Sequence, residues 1–536
     1  MVNEYYGLRG KSLSRVLATI AGIGFFLFGY DQGVTGGLLT LDTFIRVFPE
    51  IDTVSSTLSD SQRSRNSTVQ GAVVALYEVG CMCGALSCIY VGDKFGRRKT
   101  IFGGAIVMTI GAVLQASSFS LAQFIVGRIV TGIGNGFITA TVPTWQSECA
   151  KPEMRGPLVV MSTFLTCAGV AFSYWIDLGF YFVDGQVNWR FPIAFQIVFS
   201  LILLSTVMQL PESPRWLIKQ DQINEAARVF AVLADIDIDD PYIMEQINEI
   251  RATLTLETRG SISEVFTMGK ERNFHRAMLG MAIQAMQQIA GINVVIYYSS
   301  YIYEHSIGLS PLNSKIVAAA SGTEYWLACI IPYFTIERFG RRNLLVWTAA
   351  AMGVTLAGVC VAVYYANKGN TNAGIGATVL VFVYCTINAL GWTNIPWLYP
   401  AEVASLSVRA SANGLSTASN WIINFMVVMI TPIAINNIGA YAYLIFAACN
   451  FVINAPVVYI FYPETAGRSL EEIDHIFEMS DPKRPWDVVR VAREMPKMHT
   501  DVLERDADLE GLQLAQMGFQ KQDKPVATHV DDTMSN

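Results

Sequence analysis

The chain has 536 residues, of which 52% are hydrophobic and only 15% are charged, and its formal net charge at pH 7 is −7. Soluble domains carry about 25% charged residues, so this composition excludes an ordinary soluble protein and indicates a membrane protein. The acidic balance provides no basic surface for nucleic acid, and we expect no nucleic-acid partner.

Apolar stretches long enough to cross a bilayer as helices recur along the chain. Twelve are predicted, six in each half, and they begin near Leu13, Ser67, Thr100, Leu121, Pro157, Trp189, Arg276, Pro311, Asn343, Ala373, Ala410 and Ala440. The predicted fold is therefore an all-α membrane protein, with twelve transmembrane helices in two six-helix halves and short cytoplasmic helices between the halves.

These stretches divide the chain into five predicted segments. They are a cytoplasmic N-tail (1–12), an N-terminal six-helix half (13–210), cytoplasmic linker helices (211–275), a C-terminal six-helix half (276–462) and a largely disordered cytoplasmic C-tail (463–536). The linker has the charge-interleaved pattern of amphipathic helices. The tail begins with a helix-like run at Ser469, and its polar composition predicts disorder beyond about Pro485.

A repeated cationic motif relates the two halves. Residues 93–98 (DKFGRR) return as residues 337–342 (ERFGRR), and each copy lies between two predicted spans. Parallel repeats of multi-helix units are typical of secondary transporters.

Lys and Arg residues in the short loops predict the orientation. They concentrate after spans two, four, eight and ten, as Lys94, Arg97, Arg98, Lys99, Lys151, Arg155, Arg338, Arg341, Arg342 and Arg409. The opposite short loops are nearly bare, with Lys315 and Lys368 as exceptions, and the basic residues of the long first loop count for less. Because basic loops face the cytoplasm, both termini are predicted to be cytoplasmic.

Two opposite charges lie at matching depths inside predicted spans. Asp31 lies near the outer end of span one, and Arg128 lies near the outer start of span four. At 1.5 Å per residue both are roughly 10 Å below the outer surface, so they can form an ion pair. Charges within a membrane are costly unless they are paired or functional, which favours a functional role over a static ion pair.

Three further carboxylates fall inside predicted spans. Glu78 and Glu324 lie near the middle of spans two and eight, and Asp177 lies near the outer end of span five. We expect neighbouring hydroxyls to satisfy Glu78 and Asp177, whereas Glu324 adjoins a candidate site residue, Tyr325.

Span seven carries a polar stripe formed by Gln284, Gln287 and Gln288, which share one helix face. Three amides cannot face lipid, so the stripe is predicted to face the bundle interior. Gly291 permits a local break that could turn Asn293 toward the same interior. Amides donate and accept hydrogen bonds, which suits a neutral polyhydroxy ligand. Hydrogen bonding between helices is the alternative.

The sequence contains no nucleotide-binding loop, metal-ligand cluster or nucleophile constellation, so no catalytic residue, metal site or enzyme activity is predicted. No cofactor is expected apart from the proton as a coupling ion. The nine cysteines give no disulfide framework. One glycosylation sequon, at Asn66, lies on the predicted outer side, but it abuts span two, where a glycan would be crowded.

Longer motifs follow one another along the chain. They are GRR at 96–98, GRI at 127–129, PTWQSECAKPEMRG at 143–156, PESPRWL at 211–217, QQIAGIN at 287–293, PWLYPAE at 396–402 and PETAGR at 463–468. In this order they resemble the sugar porters of the major facilitator superfamily over nearly the whole chain. The runs GYDQG at 29–33 and YWID at 174–177 are most similar to fungal members, among them the yeast glycerol/proton symporter and fungal hexose and pentose transporters.

The resemblance implies roles for individual residues. Asp31 would take the coupling proton and Arg128 would tune it. The implied substrate-binding residues are Gln287, Gln288 and Asn293, joined by Asn420, Trp392 and Trp397. Thr163 and Tyr325 stand where sugar porters usually have Gln and Asn, so they are expected to influence substrate choice, and the identity of the solute stays open.

Charged residues at the inner helix ends can pair with one another. The resemblance favours a cytoplasmic gate that latches the two halves when the site faces outward, over the alternative that these residues only anchor loops. They are Arg97, Arg98, Glu148, Arg155, Glu212, Arg341, Arg342, Glu402, Arg409 and Glu464.

The predicted function is secondary active transport, namely proton-coupled uptake of a hexose or pentose by alternating access at a fungal plasma membrane. The alternatives are a glycerol or polyol proton symporter, then an energy-independent sugar facilitator, and, from a different class, a nutrient sensor that does not transport. The expected partners are a small neutral polyhydroxy solute and the lipid bilayer, and we expect a monomer.

Overall fold

The computed structural model describes residues 4–55, 57–150, 155–257, 262–405 and 407–496. Across these residues the regular structure is helical. The first half consists of α1 (Gly10–Leu38), α2 (Asp42–Val47), α3 (Asp60–Phe95), α4 (Arg97–Ala116), α5 (Leu121–Cys149), α6 (Arg155–Tyr181) and α7 (Val187–Thr206). The linker contains α8 (Pro214–Lys219), α9 (Ile223–Ala234) and α10 (Pro241–Glu257).

The second half repeats this plan with more interruptions. It consists of α11 (Asn273–Ile289), α12 (Ile292–Tyr301), α13 (Pro311–Ala328), α14 (Pro332–Phe339), α15 (Arg341–Ala366), α16 (Thr371–Gly391), α17 (Ile395–Val403), α18 (Arg409–Ile438), α19 (Tyr441–Ala448) and α20 (Ala455–Phe461). Two helices of the C-terminal tail follow, α21 (Leu470–Met479) and α22 (Asp487–Glu494).

The helices form six membrane paths in each half, and the predicted all-α fold of two six-helix halves is confirmed. Eleven segments of the described chain are long and apolar enough to cross a membrane. The remaining path is the pair α13 and α14, which a turn at residues 329–331 separates.

One predicted start is displaced. Helix α3 begins at Asp60 rather than near Ser67, because Ser59 and Gln62 form a capping box. The Gln62 N–H donates to the Ser59 hydroxyl at 3.3 Å, and the Ser59 N–H donates to the Gln62 side chain at 3.0 Å. These bonds satisfy the free N–H groups of the first turn, so the helix extends beyond its apolar stretch.

The seventh path contains the break that the sequence predicts. Gly291, between α11 and α12, has a φ of +102°, in the left-handed region that favours glycine. Asn293 follows this break and reaches the bundle interior, where its side chain is buried.

Helices α3 and α5 approach each other closely through small residues. A Cβ on Gly80 would lie 2.4 Å from the Ile129 carbonyl oxygen, and one on Gly132 would lie 2.3 Å from the Tyr77 carbonyl oxygen. This close approach brings the segment of α3 around Glu78 next to the segment of α5 that carries Arg128.

The tail differs from its prediction. Disorder beyond about Pro485 is wrong for α22, because Val488, Val489, Val491 and Ala492 form a buried apolar face. The Arg468 guanidinium donates to the carbonyls of Ala492 and Met495 at 2.6 and 2.8 Å, which satisfies the end of this helix. Residues 497–536, which the same prediction covers, lie outside the described residues.

The two ends of the bundle differ. The linker face carries α8–α10 together with the tail helices. The far face is the opposite one, where α1 ends and α3 begins.

Candidate functional site

A cavity of about 230 Å³ lies between the two halves. It is smaller than the roughly 300–1,000 Å³ pockets that take drug-sized ligands, so its size suits a small solute. Pro143, Ser162 and Trp397 extend its lining toward the linker face, and Ile292 and Ile296 of α12 line it near the far face.

The two walls of this cavity differ in chemistry. The second half supplies five amides, namely Gln287, Gln288, Asn293, Asn420 and Asn424. Among the described lining residues the first half supplies one amide, Gln32, besides hydroxyl and apolar side chains such as Thr139, Thr166, Phe25 and Phe28. Four residues predicted to bind substrate, Gln287, Gln288, Asn293 and Asn420, therefore lie together on one wall.

Hydrogen bonds fix the part of the amide wall nearer the far face. The Asn293 amide donates to Gln288 Oε1 at 2.6 Å and to Asn424 Oδ1 at 2.7 Å. These bonds hold α12 against α18 and orient Gln288. The part nearer the linker face is also fixed, because Asn420 Nδ2 donates to Gln287 Oε1 at 3.0 Å.

Three polar groups of this wall are left for a ligand. Gln288 Nε2, Asn293 Oδ1 and Asn420 Oδ1 make no hydrogen bond to any residue that the structure describes. Together they offer one donor group and two acceptors, which is the set that a polyhydroxy solute can satisfy.

Thr163 and Tyr325 also line the cavity. The Tyr325 hydroxyl is already engaged, since it lies 2.8 Å from Thr393 Oγ1 and donates to Asn388 Oδ1 at 3.2 Å. Tyr325 therefore presents mainly its ring to the cavity, and its hydroxyl stabilises the turn between α16 and α17.

The two tryptophans are placed differently. Trp397 lines the cavity, whereas Trp392 is absent from the described lining. The Trp392 side chain is buried, and its indole N–H donates to the carbonyl of Leu345 at 3.1 Å. Only the main chain of Trp392 touches the amide wall, where its carbonyl accepts a hydrogen bond from Gln287 at 2.8 Å.

The predicted intramembrane ion pair is present. Arg128 Nη1 donates to Asp31 Oδ1 at 3.4 Å, and both side chains are fully buried. The guanidinium also donates to the Val74 carbonyl at 3.4 Å and lies 4.4 Å above the ring of Tyr77. Asp31 directly precedes Gln32, which lines the cavity, so the pair lies beside the candidate substrate site.

Glu78 belongs to the same buried region, which the sequence analysis missed. A hydroxyl satisfies one of its oxygens as expected, but the donor is Tyr297 of the other half, at 2.5 Å from Glu78 Oε1. Arg128 contacts the same stretch of α3, through the Val74 carbonyl and the Tyr77 ring, so its charge lies beside this carboxyl. The glycines that draw α3 and α5 together were the available signal.

Contacts on the far face join the two halves. The Tyr174 hydroxyl of α6 donates to the Ile296 carbonyl of α12 at 2.6 Å. Lys315, expected in an exposed loop, is instead buried at the start of α13, where it donates to the carbonyl of Gly37 at 3.0 Å. With the Tyr297–Glu78 hydrogen bond, these contacts close the cavity toward the far face.

The linker face is organised differently. The predicted partners meet, but each pair lies within one half. Arg97 pairs with Glu148 at 2.9 Å, and Arg341 pairs with Glu402 at 3.0 Å. A latch between the halves, expected when the site opens to the other side, is not formed by these pairs in this far-face-closed structure.

The other described members of the predicted gate bond within one half or to the segment that directly follows it. Arg98 lies 3.7 Å from Glu212, and the main-chain N–H groups of Arg341 and Arg342 donate to Glu464 at 2.8 and 3.1 Å. Burial raises the pKa of the Glu212 carboxyl, although N–H donors oppose this shift. Arg409 donates to the Ala404 carbonyl at 3.3 Å, and the side chain of Arg155 lies outside the described residues.

Three other candidates have local roles. The Asn66 amide, near the start of α3, donates to the Asp52 carbonyl in the preceding loop at 2.7 Å. Glu324 accepts a hydrogen bond from Thr386 and is absent from the described cavity lining. Asp177 packs against Gly37 without the expected hydroxyl, since neither of its oxygens has a hydrogen-bond partner among the described residues.

Comparison with known proteins gives the family. The family model described as "Sugar (and other) transporter" matches residues 17–477. The chain belongs to the sugar transporter family.

Relatives of known name within this family cover most of the chain. The sugar transporter STL1 of Saccharomyces cerevisiae is 40% identical over 95% of this chain and 89% of its own length. The low-affinity glucose transporter HXT1 of the same organism is 30% identical over 88% of this chain and 82% of its own length. Such relatives are transporters and not enzymes, and the multi-pass membrane assignment agrees with them.

Solved structures share the fold. The proton:xylose symporter XylE, bound to 6-bromo-6-deoxy-D-glucose, has a TM-score of 0.71 and 24% identity, covering 87% of this chain and 100% of that chain. An inward-open structure of XylE from E. coli has a TM-score of 0.69. This likeness concerns the major facilitator fold.

Proposed function

We propose that this sugar transporter couples the uptake of a monosaccharide, a hexose or a pentose, to the entry of a proton by alternating access. The observation that carries the proposal is a fully buried pair, Asp31 and Arg128, beside a cavity whose amide wall keeps free hydrogen-bonding groups. The expected setting is the plasma membrane, with the linker face and both termini in the cytoplasm.

The cavity supports binding of a neutral polyhydroxy solute. Gln288 Nε2 donates to a solute hydroxyl, and the oxygens of Asn293 and Asn420 accept from others. Gln287 stabilises this arrangement through its hydrogen bonds to Asn420 and to the Trp392 carbonyl. A site that pairs its polar groups with hydroxyls discriminates strongly against solutes that leave them unpaired.

Asp31 is the proposed carrier of the proton. Protonation removes its charge and weakens its pairing with Arg128, which changes the relative stability of the states open to the two sides. Solute binding drives the change of access only through different affinities for those states. Asn293, on the helix that closes the far face, gives the solute such a difference.

A second candidate substrate is glycerol or another polyol, transported by the same mechanism. Thr163 and Tyr325 replace two amides that sugar porters usually direct at a hexose, and the Tyr325 hydroxyl is engaged with Thr393 and Asn388. Without these two amides and with about 230 Å³ of space, the site also suits a smaller solute.

The test is uptake by yeast cells that lack their own transporters for these solutes. Labelled glucose, xylose and glycerol are compared at two external pH values, together with alkalinisation of the medium on solute addition. We expect concentrative uptake of one solute class, faster at the lower pH and accompanied by proton entry. Uptake that never exceeds equilibrium and moves no protons would show a facilitator, and no uptake of any solute at normal surface expression would favour a sensor.

A further inference from the structure

Asp31, Glu78 and Arg128 form a buried charge cluster of two carboxyls and one guanidinium. All three side chains have 0% exposed surface. No second Lys, Arg or His contacts the two carboxyls in the described part of the chain. The other titratable groups that face the cluster are phenols and a thiol, which are neutral at ordinary pH, namely Tyr30, Tyr77, Cys81, Tyr297 and Tyr298.

This composition fixes the number of protons that the closed cluster holds. With both carboxyls ionised it carries one uncompensated negative charge, and with one of them protonated it is neutral. An unpaired buried charge is strongly unfavourable within a membrane. The unpartnered oxygens Asp31 Oδ2 and Glu78 Oε2 provide a position for that proton on either carboxyl.

The cluster is buried in this structure, whose far face is closed. The Tyr297 hydroxyl bonds to Glu78 from α12, the helix that closes the far face over the cavity. Movement of α12 away from α3 would break this bond and would expose the cluster to water, where an uncompensated charge costs less. The cost of the extra charge therefore appears on closing.

We propose that the far face closes only after the three-membered cluster Asp31–Arg128–Glu78 has taken up one proton, so that Glu78 determines proton coupling as much as Asp31 does. The inference rests on the proposed proton-coupled function and adds to it a charge-counting rule. Removing either carboxyl leaves one carboxylate and one guanidinium, which close without a proton. Removing both leaves the guanidinium unpaired.

The cluster is also connected to the cavity. Asn424 lies beside Glu78 and accepts a hydrogen bond from Asn293 at 2.7 Å. A solute that binds Asn293 therefore acts on the same helices that enclose the cluster, which gives a physical route from solute binding to closure.

The test is exchange of labelled solute across proteoliposomes, with the same unlabelled solute on both sides and equal pH on both sides. Glucose, xylose and glycerol are run in parallel as probes. We expect wild-type exchange to fall as pH rises. Glu78→Gln and Asp31→Asn should each retain exchange and lose its pH dependence, and the double variant should lose exchange by more than about 100-fold.

Two control variants separate charge from packing. Tyr297→Phe removes the hydrogen bond but keeps the charge count, so its exchange should still fall with pH. Glu324→Gln removes an intramembrane carboxyl whose partner is the Thr386 hydroxyl and not a guanidinium. The pH dependence of its exchange should match that of the wild type.

Several results would overturn the rule. They are wild-type exchange that is independent of pH, a Glu78→Gln profile equal to that of the wild type, or a double variant as active as the single ones. If Glu78→Gln fails to reach the membrane, Asp31→Asn decides, because loss of its exchange would mean that Glu78 does not balance Arg128. Failure of the proposed function is seen separately, as wild-type transport without solute-driven proton entry.

Discussion

The two walls of the cavity come from similar six-helix halves, yet they carry different chemistry. The second-half wall presents five amides, and hydrogen bonds between α11, α12 and α18 hold these amides in place. The first-half wall presents one amide, Gln32, besides hydroxyl and apolar groups, and behind it lie the buried charges Asp31, Glu78 and Arg128. A duplicated architecture thus separates neutral hydrogen bonding from ionisable groups.

This separation suggests how two ligands of unlike chemistry act on one movement. A neutral solute needs paired donors and acceptors, whereas a proton needs carboxyls whose charge depends on their surroundings. The two sets meet at α12, since Asn293 faces the amides and Tyr297 bonds to Glu78. Variants on the two sides should therefore fail in different ways.

The largest expected effect is that of Asp31→Asn. Because the amide removes one negative charge and leaves Glu78 to balance Arg128, closing no longer requires a proton, so accumulation against a gradient should be abolished while exchange of solute continues. The apparent affinity for solute in exchange should stay close to the wild-type value, since the amide wall is intact. The measurements are the steady-state accumulation ratio and the exchange KM, at matched surface expression.

Concentrative uptake by Asp31→Asn at the wild-type level would contradict the assignment of the coupling proton to the buried charges behind the first-half wall. A large rise in exchange KM with accumulation preserved would mean that Asp31 serves solute binding and not proton coupling.

The next effect is that of Gln288→Ala on the amide wall. It removes a free donor of the cavity and a partner of Asn293, and loss of one partner of a buried hydrogen bond costs about 1–3 kcal/mol. The transport KM should rise on the order of tenfold or more, with proton coupling retained. A matched control is Gln196→Ala in α7, which removes a buried amide outside the described lining and should leave the KM unchanged.

Much of this arrangement could be predicted from the sequence, because it follows from local pattern. Apolar length gave the spans, the spacing of Gln284, Gln287 and Gln288 gave the amide stripe, and Gly291 gave the break in the seventh path. Equal depth in two spans was enough to pair Asp31 with Arg128.

What escaped prediction depends on contacts between distant helices. Lys315 was assigned to a loop because a single cation near a span end gives no sign of a buried acceptor such as the Gly37 carbonyl. Glu78 was expected to bond to hydroxyls near it in the sequence. Its neighbours in the structure, Arg128 of α5 and Tyr297 of α12, are far from it in the sequence and gave no local sign. Trp392 and Trp397 lie only five residues apart, and only packing places Trp397 at the cavity.

A smaller effect is expected from the double variant Thr163→Gln with Tyr325→Asn. It restores on the first-half wall and on α13 the two amides that sugar porters usually have, so the preference should shift several-fold toward glucose. Competition of labelled solute uptake by glucose, xylose, sorbitol and glycerol measures this shift. An unchanged order of competition, in protein that reaches the membrane, would mean that these positions do not decide the choice of solute.

The smallest expected effects distinguish the two tryptophans. Trp397→Phe trims a side chain that lines the cavity and should change the KM modestly, with little effect on stability. Trp392→Phe removes the indole donor to the Leu345 carbonyl, which contributes about 1 kcal/mol, so it should lower the melting temperature of the purified protein and leave the KM near that of the wild type. The two variants together test whether only residues that line the cavity determine the KM. A KM change confined to Trp392→Phe would mean that the packing of Trp392, whose carbonyl accepts a hydrogen bond from Gln287, positions the solute site, and that the Trp397 side chain does not.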